Sequence, residues 1–160
     1  MGGGGVLSGE TDEPSFEDFF SEVEPRLRLA LCARFGREAG REAALDALVY
    51  GWRHWDRVRE MANPAGYLYR VGVSRVRYPA VTPVLVDPID WRDPWIEPGL
   101  EIGLAALSEN QRTAVVLHHG LDWSYEEIGS LMEVSVSTVR NHVRRGVQKL
   151  RASLGVMVDG

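Results

Sequence analysis

The stretch from Ser124 to Arg151, SYEEIGSLMEVSVSTVRNHVRRGVQKLR, decides the fold class. Ser124 followed three residues later by Glu127 is a capping-box pattern, and it predicts a short helix over Tyr125 to Met132. After Glu133-Val134-Ser135-Val136, Ser137 is the expected cap of a second helix reaching Ser153. Ile128, Leu131, Val134, Val139, Val143 and Leu150 give the pair a common inner side. Two helices joined by a short turn, the second basic and hydroxyl-capped, read as a helix-turn-helix. From Ser135 to Leu154 the residues Arg140, Arg144, Arg145, Lys149 and Arg151 meet no acid, a local charge of +5. Such a helix enters the major groove and presents its N-terminal residues, here Ser137, Thr138, Arg140, Asn141 and Arg144, to base edges. Asn and Arg suit bidentate readout of adenine and guanine, while Ser and Thr suit phosphates. Arg145, Lys149 and Arg151 track the backbone or solvate the helix. A solvated face of an ordinary bundle would carry the same basic pattern, but caps, turn length and basicity agree on DNA.

Upstream of this unit, Glu101 to Leu107 reads as a short helix. Ser108 caps the next, with Glu109 and Gln111 in its first turn, Ala114, Val115 and Leu117 on its inner face, and Gly120 at its end. Before that, Pro79, Pro83, Pro88, Pro94 and Pro98 break every helix, which predicts an extended linker. Asp87, Asp90, Asp93, Glu97 and Glu101 against Arg92 give the stretch from Ala80 to Glu101 a net charge of −4. Trp91 and Trp95 within it are unusual for a solvated tether and are expected to pack on a domain or on a partner.

Three further helices are expected in the N-terminal half. Ser15, with Asp18 three residues on, opens a run whose apolar members are Phe16, Phe19, Phe20, Val23, Leu27, Ala30, Leu31 and Phe35. Pro25 lies inside it and is expected to kink or restart it. A second helix runs from about Arg37 to Arg57, with Ala44, Leu45, Leu48, Val49, Trp52 and Trp55 on its apolar side and the two tryptophans assigned to the core. A third starts at Asn63 as N-cap with Pro64 in the first helical position, and stops at or before Pro79. The overall expectation is all-α: a disordered tail (1–14), a helical domain (15–78), a linker (79–100) and a helix-turn-helix domain (101–155).

The chain has 160 residues, 44% hydrophobic and 26% charged, a globular composition. No apolar run is long enough to span a bilayer, and the N-terminus has no secretory pattern, so membrane insertion is not expected. The lone Cys32 excludes an internal disulfide, reads as a core residue and fits a cytoplasmic setting. His54, His118, His119 and His142 lack metal-ligand spacing, and no nucleophile–base pair or phosphate loop can be assembled. Neither catalysis nor a cofactor is expected.

The stretches from Leu107 to Leu117, Leu121 to Leu131 and Val136 to Arg140 resemble the promoter-binding C-terminal domain of bacterial sigma factors. The nearest type is the two-domain extracytoplasmic-function class of RNA polymerase sigma factor. Phe16-Glu-Asp-Phe-Phe20 and Pro25-Arg-Leu27 resemble that family's opening helix. Asn63-Pro64 followed by Tyr67-Leu-Tyr-Arg-Val71 resembles its Asn-Pro-x-x-aromatic-Leu-x-Arg-aliphatic helix. The resemblance covers nearly everything from Phe16 to Leu154. It implies an alternative sigma factor that binds core RNA polymerase and promoter DNA, is held in check by an anti-sigma factor, and performs no catalysis.

By the same resemblance, Glu42 and Asp46, with Leu48, Val49 and Trp52, bind the polymerase. Asn63, Tyr67, Arg70, Arg75 and Arg77 serve the minus-ten element and melting, with the loop from Arg57 to Asn63 contributing to a pocket for an unstacked base. Ser137, Thr138, Arg140, Asn141, Arg144 and Arg145 read the minus-thirty-five element. Pro79 shortens the minus-ten helix relative to the family, and Leu45 and Tyr50 replace polar residues of the polymerase-binding helix. Glu133 and Ser108 stand where the family has Gly and Pro. Two other readings compete: a free-standing dimeric helix-turn-helix regulator, and a sigma-derived interaction protein without melting activity.

Overall fold

The structure, a computed structural model, describes residues 15–77 and 99–155. The expected tail, nearly all of the proline-rich linker, and Trp91 and Trp95 lie outside the described residues. Every regular element among the described residues is helical. The order is α1 (Phe16–Phe35), α2 (Arg37–Arg53), α3 (Trp55–Val58), α4 (Pro64–Arg75), α5 (Leu100–Ala105), α6 (Glu109–Val115), α7 (Tyr125–Met132) and α8 (Val136–Ser153), with a π-helical turn, Val116–Gly120, continuing α6.

α1 starts where the cap predicts, with the Ser15 hydroxyl accepting from the Asp18 amide at 3.2 Å. Contrary to expectation, Pro25 does not restart it: the helix runs unbroken for 20 residues. Pro25 and Ser21, whose carbonyl loses its partner to the proline, both lie on the exposed side, where that carbonyl is open to solvent. The opposite face buries Val23, Leu27, Ala30 and Leu31 and holds the helix together across the missing bond.

Gly36 then turns the chain directly into α2 at φ +93°, a conformation that side chains rarely tolerate. One turn later the two helices touch backbone to backbone, and a Cβ on Gly40 would lie 2.4 Å from the Cys32 Cα. Cys32 is buried in this contact, as its place on the apolar side predicts.

α2 ends at Arg53, short of the expected Arg57, because His54 leaves helical geometry (φ −118°, ψ 28°) before α3 begins. The core assignment is corrected for Trp52, while Trp55 does pack against the core cluster. Trp52 is 63% exposed, since Ala44, Ala47, Leu48 and Gly51 occupy the inner face of α2. Trp55 is half-buried and packs its ring on Phe16 and Phe19, at centroid distances of 5.5 and 4.9 Å. α4 opens on the Asn63–Pro64 signal, with the Asn63 carboxamide oxygen accepting from the Gly66 amide at 3.0 Å. It ends at Arg75 as Val76 turns extended.

In the C-terminal half, both Ser108–Gln111 and Ser124–Glu127 form reciprocal capping boxes. The two helical regions do not stand apart. Leu27, Ala30 and Leu31 of α1 share one core cluster with Ala114, Leu117, Ile128, Leu131 and Val139, and Ala33 joins Leu104, Leu107, Val115 and Leu150 in a second.

Arg112 fastens this junction. Its buried guanidinium donates to the carbonyls of Ala33 and Arg34 at the end of α1, and to those of Ala105 and Leu107 after α5. Helix C-termini leave carbonyls without intrahelical partners, and one rigid fork of five N–H donors satisfies both ends. Burial lowers the Arg112 pKa from its ordinary value, opposed by Glu109. Arg34 adds an outer tie, donating to Tyr69 of α4 and to Asn110 and Glu109 of α6 at 3.3, 2.8 and 3.0 Å.

Replacing Arg112 by Met should lower the unfolding free energy by about 3 kcal/mol, because buried carbonyls lose their donor. Arg112→Lys should recover little of that loss, a point charge being unable to span both helix ends. Urea unfolding of the two variants measures both values.

Candidate nucleic-acid interface

α7 and α8 meet through a turn in which Glu133 sits in the left-handed region, at φ +55°. This is the position where the sequence carries Glu in place of the family's Gly, and here the backbone does demand a positive φ. The strain is of order 1 kcal/mol for a residue with a Cβ. The Val134 amide donates to the Gly129 carbonyl at 3.0 Å and closes α7.

α8 then starts two residues earlier than expected. Ser135, not Ser137, is the cap: its hydroxyl accepts from the Thr138 amide at 3.2 Å and lies 2.8 Å from the Thr138 hydroxyl. Three hydroxyl residues within four positions all offer a capping side chain. Ser135 wins because its backbone is extended (φ −67°, ψ 155°) directly after the Glu133 turn.

This start sets the outer face. Ser137, Arg140, Asn141, Arg144 and Arg145 are exposed, with the first four at i, i+3, i+4 and i+7, while Val139, Val143, Gly146 and Leu150 turn inward. Thr138 is half-buried and tied into the cap. Arg144 donates to the Asn141 carboxamide at 3.0 Å, and the Arg140 guanidinium lies over the Tyr125 ring, 5.6 Å from its centroid. His142 is held below its ordinary pKa by burial first and by Arg145 second, so at neutral pH it adds no cation to this face.

The residues assigned to the minus-ten element lie in another setting. Asn63, besides capping α4, donates from its amide nitrogen to the Ser130 carbonyl at 2.6 Å. Arg70 pairs with Glu133 at 2.8 Å. Both are thus engaged by the end of α7. Tyr67 belongs to a polar aromatic cluster that sequence reading did not foresee. Its hydroxyl lies 3.1 Å from that of Tyr50, and Arg57 donates to the two oxygens at 3.3 and 2.6 Å. The bond between the phenols raises the Tyr50 pKa and lowers that of Tyr67. Tyr50 and Tyr67 are on different helices, and no local pattern reveals such a pair.

The residues assigned to the polymerase divide. Glu42, Asp46, Val49 and Trp52 lie on the outer face of α2 together with Leu45, which is 62% exposed. Leu48 does not: it is buried at 5% exposure, since its position in the turn places it beside Ala44 and Ala47 against α1 and α4. That assignment is corrected to a core role. Arg75 lines two adjoining clefts of about 360 and 270 Å³, and Asp46 borders both. Glu42 and Arg77 line the second, so residues assigned to polymerase and to DNA share one surface.

Among the described residues no cluster of His, Cys, Asp and Glu has a metal-binding arrangement, and no helix is long and apolar enough to cross a membrane. What remains is an exposed face of Arg and Asn on a capped helix, at the end of a helix-turn-helix.

Residues 103–150 match the family model of Sigma-70, region 4. The chain is also similar to the RNA polymerase sigma factor CarQ of Myxococcus xanthus, 39% identical over 79 residues, which is 49% of this chain and 45% of that protein. The matched part thus spans less than half the length of that relative. In fold, the chain is similar to the sigma factor RpoE from Bartonella quintana, solved in complex with the anti-sigma factor NepR. The TM-score is 0.59 at 19% identity, over 88% of this chain and 97% of the other. The sigma resemblance read from the sequence is borne out by these matches, and the all-helical fold with it.

Replacing Asn63 by Ala should remove the α4 cap and the bond to Ser130 together, at a cost of about 1–2 kcal/mol. Asn63→Asp keeps a capping oxygen but sets an acceptor against the Ser130 carbonyl, so it should preserve α4 helicity while still losing the tie to α7. Helicity and urea midpoints of the two variants give the comparison.

Proposed function

We propose that the chain is an alternative sigma factor of the extracytoplasmic-function class, acting in the cytoplasm without catalytic activity of its own. It binds core RNA polymerase and directs promoter-specific initiation. In this reading residues 15–78 form the polymerase-binding and minus-ten domain, 79–100 the linker, and 101–155 the minus-thirty-five domain. The observation that carries it is the exposed Ser137–Arg140–Asn141–Arg144 row on α8, inside the segment that matches Sigma-70, region 4.

The outer face of α2 supports the second half. Leu45, Val49 and Trp52 recur at i, i+4 and i+7 as an exposed apolar stripe, and Glu42 and Asp46 flank it. An apolar stripe of this size on a soluble protein fits a partner surface, and the flanking acids suit a partner with basic residues at its rim. Core RNA polymerase is that partner here. The anti-sigma factor named beside the fold relative makes a protein of that kind the expected negative partner.

Minus-ten capture follows from the same geometry with one added condition. Asn63 and Arg70 face α7 in the described arrangement, so the two helical regions must part before either residue reaches DNA. The Tyr50–Tyr67–Arg57 cluster, hydrogen-bonded within the first helical region, offers aromatic and cationic groups suited to an unstacked base.

Pull-down of core RNA polymerase followed by run-off transcription on sheared genomic DNA tests the reading. Binding with discrete new transcripts is expected. Binding without transcripts would instead favour a sigma-derived interaction protein, and operator binding without polymerase a free-standing regulator. Glu42→Ala with Asp46→Ala should weaken polymerase binding without changing the circular dichroism of the chain. Arg140→Ala should cost about 1–3 kcal/mol of promoter affinity and relax specificity at one position.

A further inference from the structure

We infer that Tyr125 is a positioning residue for base readout: its ring, itself stacked on His118, holds the Arg140 guanidinium ready for the DNA. The inference rests on the proposal that α8 reads promoter DNA, and adds a residue to it from outside the recognition helix. Tyr125 is the first residue of α7, half-buried at the junction of the two helices. The Arg140 guanidinium carbon lies over its ring at 5.6 Å from the centroid. The imidazole of His118 stacks on the same ring at 4.3 Å with an interplanar angle of 28°.

His118 is itself anchored. Its Nδ1 lies 2.8 Å from the Trp123 carbonyl oxygen, and because a carbonyl only accepts, Nδ1 carries the proton. Trp123 is buried in the core cluster that joins the two helical regions. The chain of contact therefore runs from the core through Trp123, His118 and Tyr125 to an exposed arginine on the reading face.

The physical benefit is preorganisation. A free arginine side chain loses rotamer freedom when it docks on a base, and that loss weakens binding. Resting over a fixed aromatic ring restricts the side chain before DNA arrives, and a cation over a ring is attracted by the ring's negative face. On the same face Arg144 is restrained by a different device, its bond to Asn141. The two arginines nearest the helix start are thus each held by a neighbour.

Two other roles for Tyr125 make different predictions. Its hydroxyl would serve as a phosphate contact where the first helix of the unit crosses the backbone, or its ring would only fill space between α7 and α8. Selection from a randomised DNA duplex pool separates them, using the full chain with and without core RNA polymerase. Wild type, Tyr125→Phe, Tyr125→Leu and Arg140→Ala are compared, with affinities measured on the selected duplex and on the random pool.

Tyr125→Leu is expected to lose about three- to tenfold in affinity for the selected duplex. It should flatten base preference only at the base pairs that Arg140→Ala flattens, and leave affinity for the random pool within about twofold. Tyr125→Phe should match wild type. Combining Tyr125→Leu with Arg140→Ala should cost no more than Arg140→Ala alone, as expected for one residue acting through the other. Loss in Tyr125→Phe equal to that in Tyr125→Leu would overturn the inference in favour of a phosphate contact. Equal loss on selected and random duplex would overturn it in favour of simple packing. A wild-type chain that enriches no sequence in either setting would overturn the DNA reading itself, and this inference with it.

Discussion

One buried guanidinium holds the architecture together. Arg112 sits where the end of α1 and the end of α5 converge, and each helix end brings carbonyls that no intrahelical amide can satisfy. Leaving such groups dry costs on the order of 1–3 kcal/mol each, and a donor with a rigid, branched geometry removes that cost where the two helical regions pack. Around it the apolar surfaces of α1, α6, α7 and α8 merge into shared clusters. The register of that junction decides which faces are left outside.

Two such faces follow. α2 is pressed against α1 through Gly40 and Ala44, which turns Leu45, Val49 and Trp52 to the solvent beside Glu42 and Asp46. α8 buries Val139, Val143, Gly146 and Leu150, which turns Arg140, Asn141 and Arg144 outward in a row. The apolar stripe on α2 and the basic row on α8 are thus each the outward side of a helix whose inner side is packed into the core. Their chemistry differs as partners would require: an apolar centre with acidic flanks for a protein, guanidinium and carboxamide groups for bases.

The seam between the regions carries a cost and a control. Arg70 reaches Glu133, and Asn63 reaches the Ser130 carbonyl, so groups assigned to DNA are occupied by protein. Glu133 makes its ion pair from a left-handed backbone position that glycine would occupy with less strain. An exposed ion pair contributes little by itself, so the arrangement is readily exchanged for contacts with another partner of greater area. A parted seam would release both residues at once.

Much of this was legible in the amino-acid order alone. The caps at Ser15, Asn63, Ser108 and Ser124, and the inward rows of α7 and α8, are local effects of hydrogen bonding and helical period, and they appear in the structure where the sequence puts them. The basic row needed only spacing and charge. The assignments of Pro25, Trp52 and Leu48 failed because their outcome depends on neighbours distant in the chain, and that of the α8 cap because of the turn just before it. Pro25 leaves α1 whole because the orphaned carbonyl faces water and the far side is packed. Trp52 is exposed and Leu48 buried because α1 and α4 choose which side of α2 is covered. Ser135 takes the cap from Ser137 because the preceding turn is set by Gly129 and Glu133. The Tyr50–Tyr67 pair, the Arg112 junction and the occupation of Asn63 and Arg70 join residues far apart in sequence. Local propensity and periodicity act over a few residues, so the sequence by itself determined the helices and their polarity. Which faces meet, and therefore which charged groups stay free for a partner, is decided only when the helices pack.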